Sequence, residues 1–202
     1  MHSPSDGNFT PVFVAAYGGH VEIVRLLAQH GASVNTQSED GSTPMLSAAR
    51  EGHVDMIQLL AELGSNVHTA TKSGVTPLLM ATQGGHVNTL RALVALGSDI
   101  HATDKDGSSP LLTAAANEDV HAINTLVELG GNNVNTTCRH NRTAMHEAAQ
   151  KGHVDTIKLL ADLGGNMNAA DILGRTAIYF AASEGHADAI STLVALKAAV
   201  NI

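Results

Sequence analysis

The stretch TPMLSAAREGHVDMIQLLAELGSNVHT, from Thr43 to Thr69, recurs in edited form along the whole chain. It opens Thr-Pro, passes through an Ala pair, a Gly-His, a Leu-Leu and a Gly, and ends on Val-His. Sliding the chain against itself puts Thr10, Thr43, Thr76, Ser109, Thr143 and Thr176 in one column, at steps of 33, 33, 33, 34 and 33 residues. Such a period marks stacked units, each too small to bury its own core. The 202 residues therefore read as one array, 1–202, in which a repeat touches only its neighbours. The repeats run at about 5–37, 38–70, 71–103, 104–137, 138–170 and 171–202, behind a short polar leader.

Local chemistry repeats with the period. Thr in the first column can cap a helix, and the Pro after it suits the first helical turn, where its missing N–H costs nothing. Pro11, Pro44, Pro77 and Pro110 obey this, and Ala144 and Ala177 replace it. Aromatics are only 2 % of the chain and Trp is absent, so the core must come from Ala, Leu, Val and Ile. Ala pairs at 15/16, 48/49, 114/115, 148/149 and 181/182 let the first helix approach its neighbour closely. Gly19, Gly52, Gly85, Gly152 and Gly185 end that helix in a left-handed turn. The second helix follows with an apolar stripe such as Val21, Val24, Leu27 and Ala28 and an acid near its start. Gly31, Gly64, Gly97, Gly130 and Gly164 close it.

These residues together resemble the ankyrin repeat, whose motif runs roughly D-x-x-G-x-T-P-L-H-x-A-A-x-x-G-H, an apolar helix, and L-L-x-x-G-A-x-V-N. The resemblance covers nearly the whole chain. It implies an all-α solenoid of stacked helix-turn-helix units with short hairpin fingers, acting by protein–protein interaction on a concave face. Two departures stand out. The fourth repeat has Asn117-Glu118-Asp119 in place of x-Gly-His and an extra Asn in Gly130-Gly131-Asn132-Asn133. Asn117 is expected to take the left-handed turn and Asp119 to cap the next helix. The sixth repeat has Lys197 in the closing-Gly column and stops at Ile202 with Ile190, Leu193, Val194 and Leu196 uncapped. A mostly monomeric chain is expected. That end suggests self-association or a segment of a longer protein.

Several function classes lose support. Net charge is −8, from 11 Lys+Arg against 19 Asp+Glu, with no basic stripe for nucleic acid. There is no apolar run of about 18 residues for a membrane span, nor a secretory leader. Cys138 stands alone, which fits a reducing compartment: intracellular, the cytoplasm first, with nuclear or host-translocated settings open. Glycosylation-type triplets at Asn8, Asn135 and Asn141 are then incidental.

No phosphate loop, nucleophile elbow or C-x-x-C occurs, so no enzyme and no cofactor are expected. His146-Glu147-Ala148-Ala149-Gln150 approaches the zinc-protease H-E-x-x-H, but Gln150 cannot replace the second His. It reads better as the repeat motif, with His146 bonding the Thr143 end of its turn. The row His20, His53, His86, His153 and His186 is no metal site either. Neighbouring helices lie about 8–10 Å apart, whereas ligands about 2.0–2.1 Å from zinc must lie within roughly 4 Å of each other. These imidazoles are expected to bond backbone groups between repeats. Cys138 has only Arg139 and His140 beside it.

A further column reads Asn35, His68, His101, Asn135, Asn168 and Asn201. Its side chains are expected to tie the hairpin by bonding backbone groups. The resemblance adds that such positions, in similar proteins, are substrates of the oxygen-sensing asparaginyl hydroxylase.

Columns that vary are free to meet a partner. They fall at the finger tips and on the first helix: Glu39, Asp40, Lys72, Lys105, Asp106, Arg139, His140, Ile172 and Leu173 at the tips, Arg142 and Arg175 just after. Tyr17, Arg50 and Lys151 end first helices, and Met80, Glu147 and Phe180 lie on inner positions. The early repeats offer acids, and the fifth and sixth offer Arg139, His140, Arg142, Lys151 and Arg175 beside Ile172, Leu173 and Phe180. Arginine and exposed apolar groups anchor interfaces. The expected ligand is an acidic, apolar extended peptide or protein loop held by the last two repeats. Alanine at Arg139, Arg142 and Arg175 is expected to weaken binding and spare stability. The rival readings are a targeting or recruitment segment of a larger enzyme or secreted effector, and a scaffold without natural ligand.

Overall fold

The computed structural model describes residues 9–200, and the leader, Asn8 and Asn201 lie outside that range. Twelve helices and no strand occur among the described residues. They form six pairs: α1 (Pro11–Tyr17) and α2 (Val21–Gln29), α3 (Pro44–Glu51) and α4 (Val54–Glu62), α5 (Pro77–Gln83) and α6 (Val87–Ala95), α7 (Pro110–Ala116) and α8 (Val120–Glu128), α9 (Ala144–Lys151) and α10 (Val154–Asp162), α11 (Ala177–Ser183) and α12 (Ala187–Ala195). The chain divides into two compact units, one ending at Lys105 and one beginning at Asp106. Within each, first helices pack on first helices and second helices on second helices.

Helix starts follow the sequence closely. Thr10, Thr43, Thr76 and Ser109 accept from the backbone N–H of Phe13, Leu46, Leu79 and Leu112 at 3.2–3.3 Å. Ala48, Ala49, Ala81, Ala114, Ala115, Ala148, Ala149 and Ala181 are all fully buried, so the first helices meet through methyl groups. Larger side chains fill the space behind them, among them Met45, Met56, Ile57, Leu60, Leu78 and Leu90 in the N-terminal unit and Ile123, Leu126 and Met145 in the C-terminal one.

The first helix ends in the left-handed turn the Gly column anticipated. Gly52 has φ 78°, and a Cβ there would lie 2.6 Å from the imidazole of His86. The position therefore needs glycine for backbone and for room. In the fourth repeat the expectation at Asn117 is corrected: Asn117 is right-handed (φ −93°) and Glu118 takes the turn (φ 59°). Helix α7 runs through the usual length, so the turn falls on the residue occupying the Gly column. Asp119 Oδ1 caps α8 by accepting from Ala122 N–H at 2.8 Å, as anticipated. Lys197 replaces the closing Gly at φ 67°.

Candidate functional site

The fingers are the short turns before each first helix, and they are fastened tip to tip. In the N-terminal unit Lys72 N–H donates to Asp40 O at 2.8 Å, and Lys105 N–H to Ser73 O at 2.9 Å. In the C-terminal unit Arg139 N–H donates to Asp106 O at 3.2 Å, and Ile172 N–H to His140 O at 3.1 Å. Gly107 sits so close beneath Arg139 N that a Cβ would lie at 2.7 Å. This backbone ladder turns the tip side chains outward. Glu39, Asp40, Lys72, Lys105, Asp106, Arg139, His140, Ile172 and Leu173 are all exposed, as are Tyr17, Arg50 and Lys151 at the helix ends. Met80 and Glu147 are half-buried.

Three of the expected anchors are placed otherwise. Phe180 is 5 % exposed, which corrects its reading as an exposed apolar group. The Arg142 and Arg175 guanidiniums lie 4.4 and 4.9 Å from its ring centroid, and His146 meets it edge-on at 5.7 Å. Neither arginine is a free cation. Arg142 pairs with Glu147 at 3.3 Å and donates to Gln150. Arg175 pairs with Asp171 at 2.7 Å. Burial opposes ionisation of Asp171, but hydrogen bonds from the Arg175 side chain and from the Arg175 and Leu173 N–H groups outweigh it and hold the carboxyl at about 2. Burial pushes Glu147 up, against the opposing charge of Arg142. Burial also lowers His146. Its Nδ1 accepts from Thr143 N–H at 3.0 Å, so Nε2 carries the proton and donates to Arg175 O at 3.2 Å. His146 thus joins two repeats through their turns.

A concave place lies elsewhere, in the N-terminal unit. Phe9, Phe13, Val14 and Tyr17 form one wall of a groove of about 300 Å³, and Leu46, Ser47 and Met80 form its floor and far side. Asp40 and Ser42 border it on the finger side, and Arg50 at the end of α3. Phe9 stacks on Phe13 at 4.7 Å, yet Phe9, Val14 and Tyr17 remain 52–58 % exposed. Asp40 is fixed: its carboxylate accepts from Ser38 Oγ at 2.5 Å and from Ser42 N–H and Oγ. The Ser38 and Ser42 bonds lower its pKa. Of these residues the sequence singles out Tyr17, Asp40, Arg50 and Met80, and it places the stronger half of the face in the last two repeats instead. The overlooked signal was aromatic spacing: Phe9, Phe13 and Tyr17 recur every four residues in a chain with three Phe, two Tyr and no Trp.

The regular columns are occupied internally. Ring N–H groups of His53 and His86 donate to Tyr17 O and Arg50 O, both at 2.9 Å, and His186 donates to Gln150 O at 3.0 Å. His153 reaches Ala115 O through Nδ1 at 3.2 Å, with Nε2 3.8 Å from Glu118, the residue that replaced Gly. Asn35 and Asn135 donate to Gly64 O and Gly164 O at 3.2 and 3.1 Å, and Asn168 accepts from Ala199 N–H at 2.8 Å. These ties join one return loop to the next rather than closing a hairpin. His68 and His101 are exposed, their backbone N–H groups bonded to Asn66 and Asp99. Asn141, in the finger-Gly column at φ 59°, donates to Ala170 O at 2.8 Å. Cys138 is a half-exposed free thiol. No cluster of three or more His, Cys, Asp or Glu suited to a metal occurs among the described residues, and no helix there is long and apolar enough to cross a membrane.

A family model described as ankyrin repeats (many copies) matches residues 12–61, 47–94 and 84–127, and one described as ankyrin repeats (3 copies) matches 111–202. Among solved structures, the crystal structure of the human ASB11 ankyrin repeat domain superposes with a TM-score of 0.86, covering 96 % of this chain and 86 % of that one. The two are 23 % identical, so this likeness bears on the fold, an all-α repeat solenoid. No curated protein sequence matches the chain.

Proposed function

Because this chain belongs to the ankyrin repeat family, whose repeats generally serve protein–protein interaction, we propose that it binds a partner protein and performs no chemistry on it. The partner lies along the finger tips and first helices as an extended segment or loop. The observation that carries this reading is a division of labour among side chains. The recurrent His and Asn columns bond backbone between repeats, while the varying tip and helix-end residues are exposed. Tyr17, Ile172 and Leu173, which are 52, 61 and 69 % exposed, add apolar side chains of the kind that anchor interfaces.

The test is affinity capture with the wild-type chain and three single variants. Tyr17→Glu and Leu173→Glu alter the proposed face, and Gln58→Glu alters the exposed side of α4. A partner lost with either face variant and kept by Gln58→Glu supports the proposal. A partner kept by both face variants, or lost only with Gln58→Glu, places binding elsewhere and overturns it.

A further inference from the structure

We propose that the groove walled by Phe9, Phe13 and Tyr17 takes a large apolar side chain from an extended partner segment, next to a basic residue of that segment. This rests on the protein-binding reading above and adds the class of ligand.

Size and lining set the first half. About 300 Å³ is the lower end of ligand pockets, with room for one or two side chains. Its surfaces are aromatic, Leu46 and Met80, so an apolar group gains by leaving water there. Phe9 and Tyr17 keep about half their surface open, and aromatic side chains contribute much of the energy of protein interfaces.

The floor carries one polar atom with nothing to bond. Ser47 is 5 % exposed, lines the groove, and its Oγ is buried without a hydrogen-bond partner. Such a group is rare unless something else completes it. An extended peptide brings a backbone N–H or C=O with every residue, so a segment that parts the side chains over Ser47 bonds its hydroxyl while its own side chain fills the apolar space.

Charge sets the second half. On the finger side Asp40 is held in one orientation by three hydrogen bonds from Ser38 and Ser42, with exposed Glu39 beside it. A Lys or Arg next to the apolar anchor therefore meets a preset negative edge. Arg50, 3.9 Å from Glu51, stands at the helix end and disfavours a second cation on that side.

The experiment is selection of a random 12-residue display library on the immobilised full chain, followed by affinity measurement with the enriched peptide made synthetically. The expected consensus pairs Leu, Ile, Met or an aromatic with an adjacent Lys or Arg. Tyr17→Glu should weaken the synthetic peptide at least tenfold. Asp40→Asn, which can retain bonds from Ser38 and Ser42, should weaken it about threefold or more, and should leave unchanged a peptide with norleucine for lysine. Both variants should melt like the wild type. A consensus without a basic residue overturns the inference, as does a selection that enriches nothing. Peptides indifferent to Tyr17→Glu also overturn it, but leave the protein-binding reading standing on another part of the face. Two results reassign the groove and equally overturn the proposal: concentration-dependent dimers dissolved by Tyr17→Glu (a second copy), and peptide binding gained only on deleting residues 2–8 (the chain's own leader).

Discussion

The aromatic residues of the first repeat and of the last are handled in opposite ways. Phe9, Phe13 and Tyr17 line an open groove with half of their surface in water, and one carboxylate and one guanidinium border it without pairing with each other. Phe180 is closed over by Arg142 and Arg175, each neutralised by its own carboxylate. The same residue types thus leave an open groove in one place and a self-satisfied cluster in the other. Composition alone does not separate them. What does is how far neighbouring side chains close over the rings: two guanidiniums cover Phe180, and none among the described residues covers Phe9 or Tyr17.

The sharpest break of this comparison is truncation of an aromatic on each side. Phe180→Ala should cost about 3–5 kcal/mol, since a buried ring and its cationic contacts vanish together. Tyr17→Ala, at an exposed position, should stay within about 0.5 kcal/mol. Urea titration of both variants reads the difference, and equal losses would erase it. Next come paired core truncations. Leu60→Ala and Leu160→Ala should each cost about 2–5 kcal/mol. Hydrogen exchange should quicken mainly in the unit that holds the altered residue, because repeats contact only their neighbours.

Asp171→Asn follows, at about 1–3 kcal/mol near neutral pH from lost charged hydrogen bonds. The sign with pH is fixed by its carboxyl sitting at about 2, below the ordinary aspartate value of 3.8. The stabilisation is present above the unfolded value and disappears as pH falls through that window towards 2. The variant should therefore lose less stability than the wild type between pH 4 and 2, measured by melting at each pH. Smaller still are the arginines. Arg142→Ala and Arg175→Ala should lower the melting temperature by a few degrees, whereas Arg139→Ala, exposed at its fingertip, should shift it by less than about a degree. This replaces the expectation that all three spare stability. A flat response at Arg142 and Arg175 would return them to the set of free anchors.

Much of the fold was legible because each local rule repeats along the chain. Thr-Pro announced α1, α3 and α5, the Ala pairs announced the close helix contacts, and the closing glycines announced left-handed turns. Asp119 was read correctly as a cap from its chemistry and place. The turn at Glu118 was not, since a propensity for Asn in the left-handed region is weaker than the requirement that α7 reach its full length. Among candidate site residues, exposure at the tips followed from the repeat frame. The fate of Arg142 and Phe180 did not, because it depends on a finger side chain folding onto the next repeat's helix.

The sequence by itself determined the repeat, its helices and the columns that bind repeats together, since those depend on residues within one period and its neighbour. Only the tertiary structure decided which varying residues remain available. The groove draws Phe9 and Tyr17 from the first repeat, Asp40 and Ser47 from the second and Met80 from the third, and no periodicity predicts that three different repeats leave a hollow between them. Burial and charge pairing are properties of that assembled surroundings, and they left Tyr17 open and enclosed Phe180.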